Sequence, residues 1–294
     1  MTSQASRAAT PFVTIFDDTY DQPDCRAYYR MLRQLGYSNH AHAVPIFRAV
    51  LAELRRVRGL DTPNVLDFAS SYGIVTALMK HSVSADAFLE RYANAELDAV
   101  DASEMQELDR TWLASLPERH PGTRFNGIDV AANAVGYASA TGLFEHGFAE
   151  DLQVSAPSDR LLTCLEDCDL VVECGSVAHL MPQALDRLLS LAKRRPWLVT
   201  SPVRGNERKA AFEVMADHGL VVETLDLPPF PHRRFENQDE QARAIGIARA
   251  AGHETDGVET TGSFFAQVYV ARPAEEATPP EVWPMPPKLG ESAK

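Results

Sequence analysis

Apolar positions hold a helical period in the first sixty residues, then break into short runs that alternate with helical stretches to the end of the chain. In DCRAYYRMLRQLGY, Tyr28, Leu32 and Leu35 share a helix face, Asp24 stands where a cap would, and Gly36 where a stop would. In AVPIFRAVLAELRRVRG, Val44, Phe47, Leu51 and Leu54 repeat that spacing, Pro45 suits a first turn and Gly59 suits the end. The period then shortens. NVLDF reads as a strand and GIVTALMKH as a helix carrying Ile74 and Leu78, so the pair is strand, tight turn, helix. Residues 82–120 read as entirely helical: Ser84 and Ser103 are expected as caps, the second with Gln106 in a capping box, and Met105, Leu108, Trp112 and Leu116 form one stripe.

Beyond the Pro121–Gly122 turn, strands are expected in TRFNGIDV, EHGFAEDL, CDLVVECGSV, PWLVTSP, LVVETLDL and SFFAQVYVAR, with helices in AANAVGYASATG, QALDRLLSLAKR and KAAFEVMADHG. Such alternation predicts an α/β fold, a mostly parallel sheet with helices on both faces. The expected organisation is a helical N-terminal cap over 1–60 and a main domain over 61–273. That domain carries a helical insertion at 82–120 and an acceptor-side insertion at 228–261. A proline- and acid-rich tail over 274–294 is expected to be solvated.

Composition narrows the function classes. With 294 residues and 45% hydrophobic content the chain can bury one principal core. No apolar run reaches the roughly 18 to 20 residues of a spanning helix, so no membrane role is expected and the cytoplasm is the expected location. Against 28 basic residues stand 41 acidic ones, net −13, which makes a nucleic-acid backbone a poor partner. Cys164, Cys168 and Cys174 lie close together, but their spacing matches no usual zinc pattern; buried thiols and no metal are expected.

In a doubly wound sheet, ligands bind beyond the carboxyl ends of the strands, so the chemistry should sit there. Those ends carry Asp67 with Ala69, Ser70, Ser71 and Gly73; Asp129 with Val130; Glu150, Asp151 and Leu152; and Glu173, Cys174 and Gly175. An acid closes four successive strands. This ordered set resembles the class I S-adenosylmethionine-dependent methyltransferases of the small-molecule type, with DFASSYG similar to their cofactor turn, Ala69 and Ser71 standing at glycine positions and Gly73 retained. The resemblance implies a Rossmann-like sheet of seven strands with the last antiparallel, S-adenosylmethionine as cofactor and S-adenosylhomocysteine as product. It further implies that Asp129 holds the ribose hydroxyls, that Asp151 or else Glu150 lies near the adenine amino group, and that ECGSV borders methyl transfer. The cofactor has no phosphate, so its turn needs less glycine than one that wraps a pyrophosphate.

Two features depart from that pattern. Asp129 lies about twice as far from Asp67 as an uninterrupted strand–helix–strand unit of about 30 residues requires, the excess being the 82–120 insertion, which would cap the site or mediate a homodimer. The glycines missing at 69 and 71 leave the close backbone approach dependent on small side chains. For the transfer itself, His179 is the best placed general base. His232 and Arg233 are candidates for acceptor binding, Arg204 and Arg234 could hold an anionic acceptor, and Tyr28, Tyr29, Tyr37 and His42 could cover the cofactor. A small-molecule acceptor is expected, with oxygen favoured on frequency alone and nitrogen, carbon or carboxylate open. Two rivals remain, a nicotinamide-dependent oxidoreductase, which the missing G-x-G-x-x-G disfavours, and a non-catalytic relative that keeps the fold as a binding protein.

Overall fold

A computed structural model describes residues 19–175, 181–207 and 209–290. Along the chain run α1 (Arg26–Gln34), α2 (Asn39–Arg58), β1 (Asn64–Phe68), α3 (Ile74–Lys80), α4 (Ala85–Arg91), α5 (Ala102–Ser115), β2 (Arg124–Asp129), α6 (Ala132–Ala140) and β3 (His146–Ala149). They are followed by α7 (Asp159–Glu166), β4 (Leu170–Glu173), α8 (Pro182–Leu191), β5 (Trp197–Thr200), α9 (Lys209–Asp217) and β6 (Leu220–Thr224). Last come β7 (Phe230–Arg234), α10 (Gln238–Ala250), β8 (Ser263–Ala266) and β9 (Tyr269–Pro273).

Seven strands form one sheet in the order β3-β2-β1-β4-β5-β9-β6, parallel throughout except for β9, which runs against both of its neighbours. This is the Rossmann-like arrangement, with the last strand antiparallel, that the sequence resemblance implied. The strand order reverses between β1 and β4, and the crevice opened by that reversal lies beyond the carboxyl ends of these two strands. Successive residues point to opposite faces, so Val65 joins the core under α1, α2, α3 and α6 while Leu66 joins the core under α7, α8 and α9. Both faces are covered, which is why β1, β4 and β5 are buried along their whole length.

Several expectations need correction. Helix α2 begins at Asn39, so Pro45 lies inside it rather than in its first turn. Residues 82–120 are not one helical run: α4 and α5 are separated by a short 3₁₀ turn over Ala95–Ala99. The cap of α5 is Asp101, whose Oδ1 accepts the Glu104 N–H at 2.9 Å, in place of Ser103. Helix α7 left no clear sequence signal. The segment SFFAQVYVAR divides between two sheets, β8 pairing with β7 and β9 with β5 and β6. The buried alternation of Phe264, Ala266, Val268 and Val270 runs unbroken through the division, so the pattern could not mark it.

Most of the described tail is exposed, but one of its residues is buried against the domain. Trp283 is 4% exposed, and the Arg272 guanidinium lies between the Trp197 and Trp283 rings, 5.2 Å from each centroid. A large aromatic surface and a cation–π contact hold the segment down despite its composition.

Candidate functional site

The turn leaving β1 has left-handed backbone at Ala69 (φ +58°), Ser71 (+50°) and Gly73 (+80°). A residue with a Cβ adopts this conformation at a cost of about 1–2 kcal/mol, so something must hold Ala69 and Ser71 there. Asp67 is one brace: its buried carboxylate accepts the N–H and the hydroxyl of Thr76, at 3.2 and 2.8 Å, in the first turn of α3. Burial pushes its pKa up to about 8, so Asp67 is mostly protonated at neutral pH. Other braces are Ser70 N–H to the Ile128 carbonyl and Gly73 N–H to the Ser70 carbonyl. The strongest link crosses to β2, where the Ser71 N–H donates to Asp129 Oδ2 at 2.9 Å.

Asp129 is 7% exposed and collects three donors: Ala131 N–H on Oδ1 at 3.0 Å, and Ser71 N–H and the Tyr20 hydroxyl on Oδ2, each at 2.9 Å. Tyr20 was missed in the sequence, because it sits in an aperiodic stretch before the first helix. Its neighbours fasten that stretch across the crevice. Asp21 Oδ1 accepts the N–H groups of Asn133 and Ala134 at the start of α6, and the Tyr72 hydroxyl donates to the Gln22 carbonyl. Val130, beside Asp129, is 56% exposed.

The acids after β3 are engaged locally. Both oxygens of Glu150 bind Ser158, through its N–H at 2.8 Å and its hydroxyl at 2.6 Å, and Asp151 Oδ1 accepts the Gln153 N–H. Leu152 is buried. At the end of β4, buried Glu173 accepts the Thr200 hydroxyl, and Asn39 Nδ2 donates to Cys174 Sγ at 3.3 Å and to Ser201 Oγ at 3.2 Å. Burial pushes the Cys174 thiol far up, which removes it as a nucleophile at neutral pH. Gly175 has φ +146°, and a Cβ on it would stand 3.3 Å from the Tyr37 hydroxyl oxygen. His179 lies outside the described residues.

Tyr37 is half-buried, and its hydroxyl lies 2.9 Å from Nε2 of His232 on β7. The His232 ring packs edge-on against Tyr37 at 4.5 Å, and His40 stacks on the phenol's other side at 5.0 Å. Burial, reinforced by the Arg233 charge, lowers the His232 pKa to about 3, and burial alone lowers that of His40 to about 4. Both imidazoles are therefore neutral at neutral pH. Among the described residues, His232 Nδ1, His40 Nδ1, Asn39 Oδ1 and Ser70 Oγ find no hydrogen-bonding partner though buried, an arrangement that costs stability unless another group or water supplies one.

The other acceptor-side candidates have different employment. Arg204 is paired with Glu259 and donates to the Glu254 carbonyl, with both side chains of the pair buried. Arg233 makes a two-pronged pair with buried Glu240 and lies over the Phe264 ring. Arg234 is exposed and donates to the Gln34 carbonyl. Tyr29 is a core residue whose hydroxyl donates to the Tyr72 carbonyl, and His42 packs against Phe230. Tyr28 does reach the crevice, 5.5 Å from both Tyr20 and Tyr72 by ring centroid.

No protein-family model and no curated protein matches the chain. Among solved structures it is similar to the precorrin-6y C5,15-methyltransferase of Geobacter metallireducens, at 14% identity over 77% of this chain and 86% of that one, with a TM-score of 0.38. It is also similar to an S-adenosylmethionine-dependent methyltransferase of Aquifex aeolicus, at 13% identity over 84% and 97% of the two chains, TM-score 0.38. A third is the plantazolicin methyltransferase BamL, seen with a triazolic desmethylPZN analogue and SAH, at 11% identity over 83% and 89%, TM-score 0.41. At these identities and scores the likeness transfers no activity.

Proposed function

We propose that the chain binds S-adenosylmethionine in the crevice beyond β1 and β2 and transfers its methyl group to oxygen of a small-molecule acceptor lying beyond β4. One observation carries the reading. The backbone is left-handed at Ala69, Ser71 and Gly73, the alternate positions at which the family resemblance expects glycine, and Ser71 of that turn is tied to Asp129. The residues fit the cofactor. Asp129 Oδ1 has one donor and keeps a lone pair for a ribose hydroxyl, and the exposed Val130 offers apolar surface for adenine. Asp151 and Leu152 stand at the next strand end for the base itself. Bound there, the cofactor supplies a methyl group on a sulfonium that departs as a neutral thioether. The chain's own task is then chiefly to hold the acceptor in line, with a base needed only for its proton.

Calorimetric titration tests this. S-adenosylhomocysteine should bind at micromolar concentration with no binding of NAD, and Asp129→Ala should weaken that binding at least about tenfold, as loss of a charged hydrogen-bonding partner does. The reverse preference, or unchanged binding by Asp129→Ala, overturns the reading. A non-catalytic binding protein is the second reading, favoured by the Tyr20 hydroxyl resting on Asp129 Oδ2. Failure of both the natural chain and Tyr20→Phe to bind S-adenosylhomocysteine would support it.

A further inference from the structure

The acceptor side of the crevice has an unusual balance of charge and ring surface. Tyr28, Tyr37, Cys174 and Gly175 are each half-buried, so each still presents some surface to solvent, and the first three pack on the core. Rings dominate this surface: Tyr28 against Tyr20, and Tyr37 between His40 and His232. Such a surface accepts flat apolar groups.

Cations on the flanking segments are already engaged. Arg204 and Arg233 are held in buried pairs with Glu259 and Glu240, and the exposed Arg234 donates to the Gln34 carbonyl. Breaking either pair to bind an anion would strand a buried carboxylate. The two histidines are neutral, and burial is the main force against Tyr37 ionising, with the Arg233 charge easing it and the Glu173 carboxyl opposing it. An anionic acceptor would meet at Arg204 and Arg233 only charge already committed to buried carboxylates.

Tyr37 instead offers what a hydroxyl needs. A phenol has one donor and two lone pairs, and its contact with His232 Nε2 uses one of them in either imidazole tautomer. Capacity to donate or accept therefore remains at the oxygen, which faces Gly175 at the end of β4, where the missing side chain leaves it room.

Building on the methyltransferase reading, we propose that the acceptor is an uncharged aromatic molecule whose hydroxyl is received by the Tyr37 phenol. His232 acts as a positioning residue that orients the phenol, and the site discriminates against carboxylates and phosphates. The class of reaction supplying such a substrate is one that leaves a free hydroxyl on a ring.

The probes are 2-naphthol and 2-naphthoate, the same ring carrying a neutral hydroxyl or a carboxylate at pH 7.5. Calorimetry on the full chain, with and without S-adenosylhomocysteine, should show 2-naphthol binding at least about tenfold more tightly, since a buried uncompensated charge is rejected more strongly than a shape mismatch. Tyr37→Phe and His232→Asn should each reduce that ratio severalfold while leaving S-adenosylhomocysteine affinity unchanged, a selectivity effect that a merely structural role would not produce. Equal affinity for the two probes, preference for 2-naphthoate or binding of neither overturns the proposal, and the natural chain alone decides this if a variant fails to fold. Absence of S-adenosylhomocysteine binding with the naphthol preference intact would sink the methyltransferase reading and leave the acceptor class standing.

Discussion

At the ends of β1 and β2 the crevice is made largely of backbone: three left-handed residues, a row of N–H groups and a carboxylate that ties two strand ends together. At the ends of β4 and β5 it is made of side chains from α1, the turn after it and α2, from the β7 strand and from the segments that follow β5 and α10, held by rings and buried ion pairs. The first half suits a ligand whose shape is fixed, because backbone geometry changes little with sequence. The second can be retuned one side chain at a time, which is where a fold that serves many acceptors must vary.

The largest expected effect breaks the second half as a structure. Arg233→Ala removes the guanidinium that neutralises buried Glu240, and denaturant titration should show a loss of about 3–5 kcal/mol. A loss below about 1 kcal/mol would mean that the pair does not hold β7 to α10. Next, the halves should respond oppositely to pH. The unfolded chain releases the Asp67 proton above about 3.8, while the folded chain keeps it to about 8. The unfolded state therefore binds fewer protons across that window, and Asp67 makes stability fall as pH rises through it. For His232 and His40 the folded values, about 3 and about 4, lie below the ordinary 6.5, so the unfolded state binds more protons and stability falls as pH drops below 6.5. Thermal melts against pH should show Asp67→Asn flattening the alkaline limb and His232→Asn flattening the acid limb; the opposite assignment would refute the two burial arguments. The smallest effect is local. Ser71→Gly relieves left-handed strain at some entropic cost, so stability should stay within about 1 kcal/mol and move upward, whereas a clear loss would show that the Ser71 side chain is itself required.

Much of the half at β1 and β2 was legible in sequence because its signals are local. NVLDF, the small residues after it and Asp129 at the next strand end can be read within a few positions each, and the left-handed residues fell where glycine was expected. Asp67 was expected to lead the turn as a site residue; it lies within β1 and braces α3 from there. The acceptor half was legible only as a collection of types. His232 and Tyr37 were both named, yet nothing joined them; Arg204 and Arg233 looked available because their acidic partners lie several to many residues away, and Arg234 because its partner, the Gln34 carbonyl, lies 200 positions back. Asp109 shows the same limit. Nothing in the sequence analysis singled it out, yet it is 1% exposed and accepts Tyr92 and Tyr137 hydroxyls at 2.8 and 2.7 Å together with Arg91 Nε at 2.9 Å, so it pins the insertion against α6.

By itself the sequence determined the alternation of strands and helices, the acids at successive strand ends and the compact turn after β1, since periodicity and turn chemistry act over a few residues. Tertiary structure alone decided that β8 and β9 belong to different sheets, that Trp283 docks, that Tyr20 reaches Asp129 across 109 positions and that Tyr37 meets His232 across 195. Such pairings depend on which segments the folded sheet brings together, and a local pattern carries no record of that.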